Sequence, residues 1–273
     1  MSATLITVAP TGAETAKSDA EALPVTLDEL VETARRCEAV GAAMIHVHVR
    51  DDSQQPSIDT GLLKATVDAI RDATGLVVQL STGGAVTDSE ESRLAVLDAE
   101  PDSASCSMGT LNFGEDIFFN RWSFIVELHT RMQDRGIAPE YECFDIGHLA
   151  ALERLLSKHG MPATGKVHVD FVMGVPGGMP GNAATLAAAV SALPDGATFT
   201  ATGTGRTTIP VALASLSHGG HLRVGMEDTL TFAPGQPVES NGQLVERAAA
   251  LATLAQRPPM TPAQARELLG LTA

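Results

Sequence analysis

The 273-residue sequence predicts an α/β fold, a (β/α)8 barrel of the TIM type. Three observations carry this expectation. Short runs of β-branched and apolar residues recur eight times, each followed by a segment of helical periodicity. The repeat averages about 34 residues, ample for one strand and one helix. No linker, charge block or low-complexity tract divides the chain, so one domain over 1–273 is expected.

In chain order, a strand at Thr4–Ala9 leads to a helix at Leu27–Val40, and one at Ala42–Arg50 to a helix at Gly61–Ala73. The third and fourth units pair Leu76–Ser81 with Ser89–Asp98 and Ser103–Met108 with Phe118–Gly136. The fifth and sixth pair Glu140–Phe144 with His148–His159 and Lys166–Met173 with Thr185–Leu193. Ala197–Ala201 with Ile209–His218, then Leu222–Met226 with Gly242–Gln256, complete the set. From about residue 257, after Arg257-Pro258-Pro259, a last short helix is expected as an extension on the outside or on another subunit.

Acidic residues number 33 against 18 basic ones, a net charge of −15. That balance argues against nucleic acid or an anionic membrane as main partner. The three cysteines, Cys37, Cys106 and Cys143, lie far apart without a CxxC, which points to a reducing cytoplasmic setting. The first residues lack the basic and long apolar parts of a signal peptide, and the run Ala183–Leu193 is too short to span a bilayer.

In such a barrel the chemistry sits at the C-terminal strand ends, and there every unit carries polar or glycine residues. His46 and His48 are the sharpest signal. Residues at i and i+2 of a strand share a face, so both imidazoles can enter the mouth. A lone histidine is usually a core residue, but a pair with a carboxylate such as Glu227, on the strand that closure brings near, suits catalytic Zn2+ with an open position. Arg50 and Asp51 are candidates to orient these ligands by hydrogen bonds. Arg223 beside Asp228 could hold a general base ionised, or form a structural ion pair. Glu14 and Glu142 could bind a substrate cation, accept protons or support a metal. Ser81 and Thr82 offer hydroxyls, and Gly83-Gly84 let backbone N–H groups approach a carboxylate. Thr202–Arg206 could bind phosphate or be a plain turn. His168 and Asp170 share a face low in their strand, where a structural role is expected. His129, His148 and His159 read as packing or surface residues, and His218 and His221 lie at the face opposite the chemistry.

The stretches APTGAETAK, IHVHVRD, QLSTGG, SMGTLNFG and RVGMEDTL, in that order, resemble the β-keto acid cleavage enzymes from about Thr7 to Thr229. The resemblance implies a zinc-dependent TIM barrel that condenses a β-keto acid with acetyl-CoA and releases acetoacetate and a new acyl-CoA. It implies His46, His48 and Glu227 as zinc ligands, Asp228 with Arg223 as the base, and Glu14 as the acidic residue of the first loop. Ser81, Thr82 and Gly83 match the loop that holds the substrate carboxylate, Ser107 lies in a pocket-lining segment whose alignment Cys106 interrupts, and Glu142 fits a pocket position. A homodimer or homotetramer is implied as well. Binding CoA on so acidic a protein requires a local cation, for which Arg206 is the candidate.

Two rival readings follow from the residues. A metal-dependent hydrolase of the amidohydrolase type also uses HxH, but on its first strand and often with a bridging lysine on its fourth; here the pair is on the second strand and Ser103–Met108 has no lysine. A non-catalytic metal-binding barrel would not need polar groups at every strand end.

Overall fold

The computed structural model describes residues 3–271; residues 1, 2, 272 and 273 of the expected span lie outside the described residues. Eight parallel strands close into a barrel. They are β1 (Ile6–Val8), β2 (Met44–Val47), β3 (Val77–Leu80), β4 (Ser103–Ser107), β5 (Ala138–Cys143), β6 (His168–Met173), β7 (Thr198–Gly203) and β8 (His221–Val224). Each pairs with the next, and β8 returns to β1 through Thr7 opposite Arg223. Between them run α1 (Leu27–Ala39), α2 (Thr60–Ala73), α3 (Glu90–Ala95), α4 (Trp122–Arg135), α5 (Ile146–His159), α6 (Ala183–Ser191) and α7 (Thr208–Ser217), with α8 (Asn241–Leu254) and α9 (Pro262–Leu269) after β8.

The strand alternation sorts the residues into two shells. Ile45, Val47, Val78, Leu80, Tyr141, Cys143, Val169, Phe171, Leu222 and Val224 point outward into the apolar layer beneath the helices. The intervening positions face the lumen, and in its middle and upper parts they are polar: Thr7, His46, Gln79, Ser105, Glu140, Glu142, Asp170, Thr202 and Arg223 are all buried. A barrel lumen is ordinarily filled by branched apolar side chains. Here the bottom layer is apolar, where Leu5, Met44, Val77 and Ala138 meet Ala265 and Leu269 of α9, and near the mouth Val172 adds an apolar position. That helix starts cleanly, with Pro262 in its first turn and Thr261 and Gln264 in a reciprocal capping box. Thr4 N donates to Pro258 O at 2.9 Å and Met260 N to Thr4 O at 2.8 Å, fastening the segment under β1.

Element boundaries differ from the expected ones where loops fold back. The second strand leaves the barrel after Val47; Val49–Arg50 pair instead with Pro56–Ser57. Helix α4 starts at Trp122 because Phe118 belongs to a hairpin of Leu111–Phe113 with Asp116–Phe118. Ser89–Asp98 divides into α3 and a 3-10 turn at Val96–Ala99. The seventh strand continues through Thr202 and Gly203, opposite Val172 and Met173, so these two residues are ladder rather than turn. No helix among the described residues is long and apolar enough to cross a membrane.

Candidate active site

A cavity of about 130 Å³ opens at the C-terminal ends of the strands. Glu14, His46, His48, Ser81, Gly83, Gly84, Glu142, Arg223, Glu227 and Asp228 all line it.

His46 sits opposite Gln79 in the β2–β3 ladder, and its Nδ1 lies 2.5 Å from Gln79 Oε1. The Gln79 amide cannot turn over, because its Nε2 donates to Ser103 Oγ and Glu140 Oε1, both at 3.1 Å. The His46 proton is therefore on Nδ1, and the Nε2 lone pair faces the cavity. Burial, aided by the Arg223 charge, lowers the His46 pKa to about 3, so the ring is neutral. Burial lowers His48 as well, with the Arg223 and Arg50 charges adding to it and Glu227 opposing.

Glu227 completes the group. Burial alone would raise its pKa, but Arg223, His48 and His46 outweigh that and hold it well below its ordinary value. Its Oε1 is 3.9 Å from His46 Nε2 and 3.7 Å from His48 Nε2, and the ligand atoms of all three residues lie within 4.8 Å of one another. Two glycines allow this placement. Gly225 passes so close to β1 that a Cβ there would lie 1.8 Å from Ala9 O, and Glu227 N then donates to Ala9 O at 3.2 Å. Gly12, with φ +66°, passes beneath the Glu227 side chain, where a Cβ would meet Cγ at 2.6 Å. Glu227 Oε2 is buried without a hydrogen-bond partner. Two neutral imidazoles and a carboxylate with one buried, unsatisfied oxygen form a three-residue donor set that fits a divalent cation with one open position.

Arg223 lies at the centre of the remaining charge. Its Nη2 is 2.5 Å from Glu227 Oε1 and 3.1 Å from Asp228 Oδ1, and its Nε donates to Asp228 Oδ2 at 3.4 Å. Its Nη1 is 3.6 Å from Glu142 Oε1 and 3.9 Å from Asp170 Oδ2. The Glu227 and Asp228 contacts come from a turn after β8, whereas Glu142 and Asp170 reach Arg223 from β5 and β6. Burial raises the Asp228 pKa, Arg223 opposes it and Glu227 adds to it, leaving a carboxyl more basic than an ordinary aspartate.

The remaining expected residues divide between the wall and its support. Ser81 lines the cavity and its Oγ accepts from Gly83 N at 3.1 Å. Thr82 faces away: its N and Oγ1 donate to Ser105, and its carbonyl accepts from the buried Arg93 at 2.7 Å. Ser107 stands behind Glu142, donating to Oε2 at 2.7 Å. Glu14 is exposed at the rim. Arg206 is also exposed and borders a neighbouring depression formed by Gly174–Asn182 rather than the cavity. Arg50 and Asp51 do not touch the ligands: Arg50 donates to Gly12 O and Thr15 O, holding the first loop, and Asp51 accepts from Ser53 and Gln55 in its own hairpin. His168 is bonded to Thr198 and Thr200, and His221 accepts from Leu5 N, both deep in the barrel. His129 is buried against Tyr141, and His148 accepts from Phe144 N.

Sequence reasoning missed Gln79, Glu140 and the apolar part of the wall, Val86, Phe113, Phe118, Phe144, Val172 and Val175. The alternations Glu140-x-Glu142 and His168-x-Asp170 were the available signal for a polar lumen.

The sequence profile of the beta-keto acid cleavage enzymes matches residues 3–271. The 3-keto-5-aminohexanoate cleavage enzyme of Acetoanaerobium sticklandii is 38% identical over 270 residues, covering 98% of each chain. The 3-oxoadipate:acetyl-CoA acetyltransferase of Cupriavidus necator is 36% identical over 272 residues, covering 98% of this chain and 94% of that protein. Among solved structures, apo ObcA superposes with a TM-score of 0.82 at 20% identity, over 92% of this chain and 66% of that chain. This chain thus spans just under two thirds of ObcA's length, and the likeness shows the barrel fold. By its full-length profile match and its relatives, the chain belongs to the β-keto acid cleavage enzyme family.

Proposed function

We propose that the protein exchanges acyl groups between a β-keto acid and acetyl-CoA, yielding acetoacetate and a new acyl-CoA, with zinc held by His46, His48 and Glu227. The observation that carries the reading is a buried carboxylate, Asp228, clamped by Arg223 beside a three-donor cluster in an open cavity. The acetyl-CoA named for the Cupriavidus relative supports the co-substrate. Zinc in that cradle supplies a Lewis acid for the keto oxygen and the charge that develops on it.

The chain's own residues do the rest. The Ser81 hydroxyl proton and the Gly84 N–H hold the substrate carboxylate; Thr82 anchors their loop from behind. Asp228 takes a proton from the carbon between the keto and carboxylate groups. That carbon bonds to the acetyl carbonyl, and CoA leaves as the thiolate. The thiolate then attacks the original ketone, and the bond between that carbonyl and the same carbon breaks. The carbon recovers its proton from Asp228, so acetoacetate and the acyl-CoA leave with atoms balanced. Arg223 keeps Asp228 aimed throughout, Ser107 fixes Glu142 in the wall, and Glu14 faces arriving substrate at the rim. Arg206 is the proposed contact for the CoA phosphates. Apolar Leu213 and Leu254, 51% and 82% exposed on α7 and α8, support a homodimer or homotetramer.

Mass spectrometry of products from acetyl-CoA and a β-keto acid panel, with and without a zinc chelator, tests the reading. Chelator-sensitive acetoacetate with a matching acyl-CoA is expected. Free acid and CoA without thioester exchange would favour a metal-dependent hydrolase.

A further inference from the structure

We infer that the β-keto acid accepted by this site carries an uncharged apolar tail, alkyl or aryl, and not an ammonium or a second carboxylate. The inference rests on the acyl-exchange reading and names its substrate class. The cavity has two surfaces. One is polar and matches the reacting part of a β-keto acid: the His46, His48 and Glu227 donors, the Asp228 carboxylate, and the Ser81–Gly84 loop. The other is made of Val86, Phe113, Phe118, Phe144, Val172 and Val175.

That second surface is a built wall. Phe118, Phe144, Val172 and Val175 are at most 7% exposed and pack as one cluster, against which Val86 and Phe113 rest. The three phenyl rings meet edge to face, with centroids 6.1–6.4 Å apart. Such contacts fix the rings in place before any ligand arrives. A carboxylate placed against them loses its hydration and gains no partner, and an ammonium exchanges its hydration for ring contacts alone.

Of the charged groups around the cavity, Arg223 and Glu142 are already committed. Arg223 is shared among Glu227, Asp228, Glu142 and Asp170, so no guanidinium is left for a second carboxylate. Glu142 accepts from Ser107 on one oxygen and faces Arg223 with the other, so an ammonium would compete with both. Burial also pushes the Glu142 carboxyl up, weakening it as a counter-charge. Glu14 is at the solvent-exposed rim. Arg93, whose guanidinium carbon is 4.8 Å from the Phe118 ring centroid, does not line the cavity and donates to Thr82 O, Phe119 O and Asn120 Oδ1.

The test compares kcat/KM for 3-oxohexanoate, 5-amino-3-oxohexanoate and 3-oxoadipate with acetyl-CoA. Exchange of isotopically labelled acetyl-CoA with acetoacetate reads the reaction without an extended tail. Labelled exchange is expected, with 3-oxohexanoate at least about tenfold above both charged acids and a rise of about threefold for each added methylene in the 3-oxo series. Labelled exchange with a charged acid preferred, or with no dependence on tail length, overturns the tail assignment alone. Absence of labelled exchange overturns the acyl-exchange reading and the tail assignment with it. Phe113→Ala supplies the second arm: KM for 3-oxohexanoate should rise at least about fivefold more than KM for acetoacetate. Equal changes for the two acids would show that the wall does not hold the tail.

Discussion

Gln79 and His46 occupy paired positions on adjacent strands, and the glutamine oxygen lies 2.5 Å from the imidazole Nδ1. The other end of the amide is held by Ser103 and Glu140, so the contact fixes both the tautomer and the tilt of the ring. Replacing Gln79 with leucine leaves the three candidate ligands present but frees His46 to rotate or to carry its proton on the wrong nitrogen. Zinc affinity should fall about 10- to 100-fold, read by chelator competition. An unchanged affinity would show that His46 does not depend on Gln79.

Asp228→Asn preserves size and leaves Arg223 paired with Glu227. Bound metal and melting behaviour should stay close to wild type while kcat falls about 10²- to 10⁴-fold. Metal analysis of the purified variant alongside single-turnover kinetics separates these two readouts. A wild-type rate would remove Asp228 from proton transfer.

Gly12→Ala asks for a Cβ at φ +66° and 2.6 Å from Glu227 Cγ. The left-handed backbone alone costs about 1 kcal/mol, and the clash must push Glu227 out of reach of the imidazoles. Metal affinity should drop by at least about tenfold with only a modest loss in thermal midpoint. Affinity equal to wild type would mean that the first loop yields in place of Glu227.

Acid stability should report on the lower barrel. Burial lowers the pKa of His168 to about 3 and of His221 to about 4, with the neighbouring His221 and Arg257 charges contributing respectively. The unfolded chain takes up a proton on each histidine near pH 6.5, while the folded chain resists until those lower values. Their contribution is thus fully present above pH 6.5 and declines as pH falls toward 4. Buried carboxylates with raised pKa, such as Asp170, act in the opposite sense, so the measurement is a difference. His221→Gln should gain about 2 kcal/mol relative to wild type between pH 7.5 and pH 5, from urea midpoints. A constant difference would place His221 in a solvated site.

The barrel and the three-donor cluster were legible because each depends on short-range regularity. Strand–helix recurrence needs only local hydrophobic patterning, and His46-x-His48 needs only the two-residue strand period. Glu227 was reached by assuming closure, which β8 and β1 provide, and Asp228 by its nearness in sequence to Arg223. The geometry that unites them with Arg223 was not readable, since it depends on a turn at Gly225 pressed against the Ala9 carbonyl. Thr82 and Ser107 carry the right functional groups in the right segments, but the fold turns one toward Ser105 and places the other behind Glu142. The phenylalanine wall escaped notice because Phe113 lay in the unassigned loop after Met108 and Phe118 was read as a helix start, whereas the two belong to one hairpin.

The barrel has a floor as well as a mouth, and the floor comes from the far end of the chain. Ala265 and Leu269 close the ring of Leu5, Met44 and Val77, and above that seal lie Glu140, His168 and Asp170 with scarcely any exposure. Their shifted ionisation exists only while the lumen is watertight. Displacing the last helix would flood the lumen from below, return those groups toward ordinary values and loosen the Glu140 grip on Gln79. The electrostatics of the mouth are therefore set in part by residues that never approach a ligand.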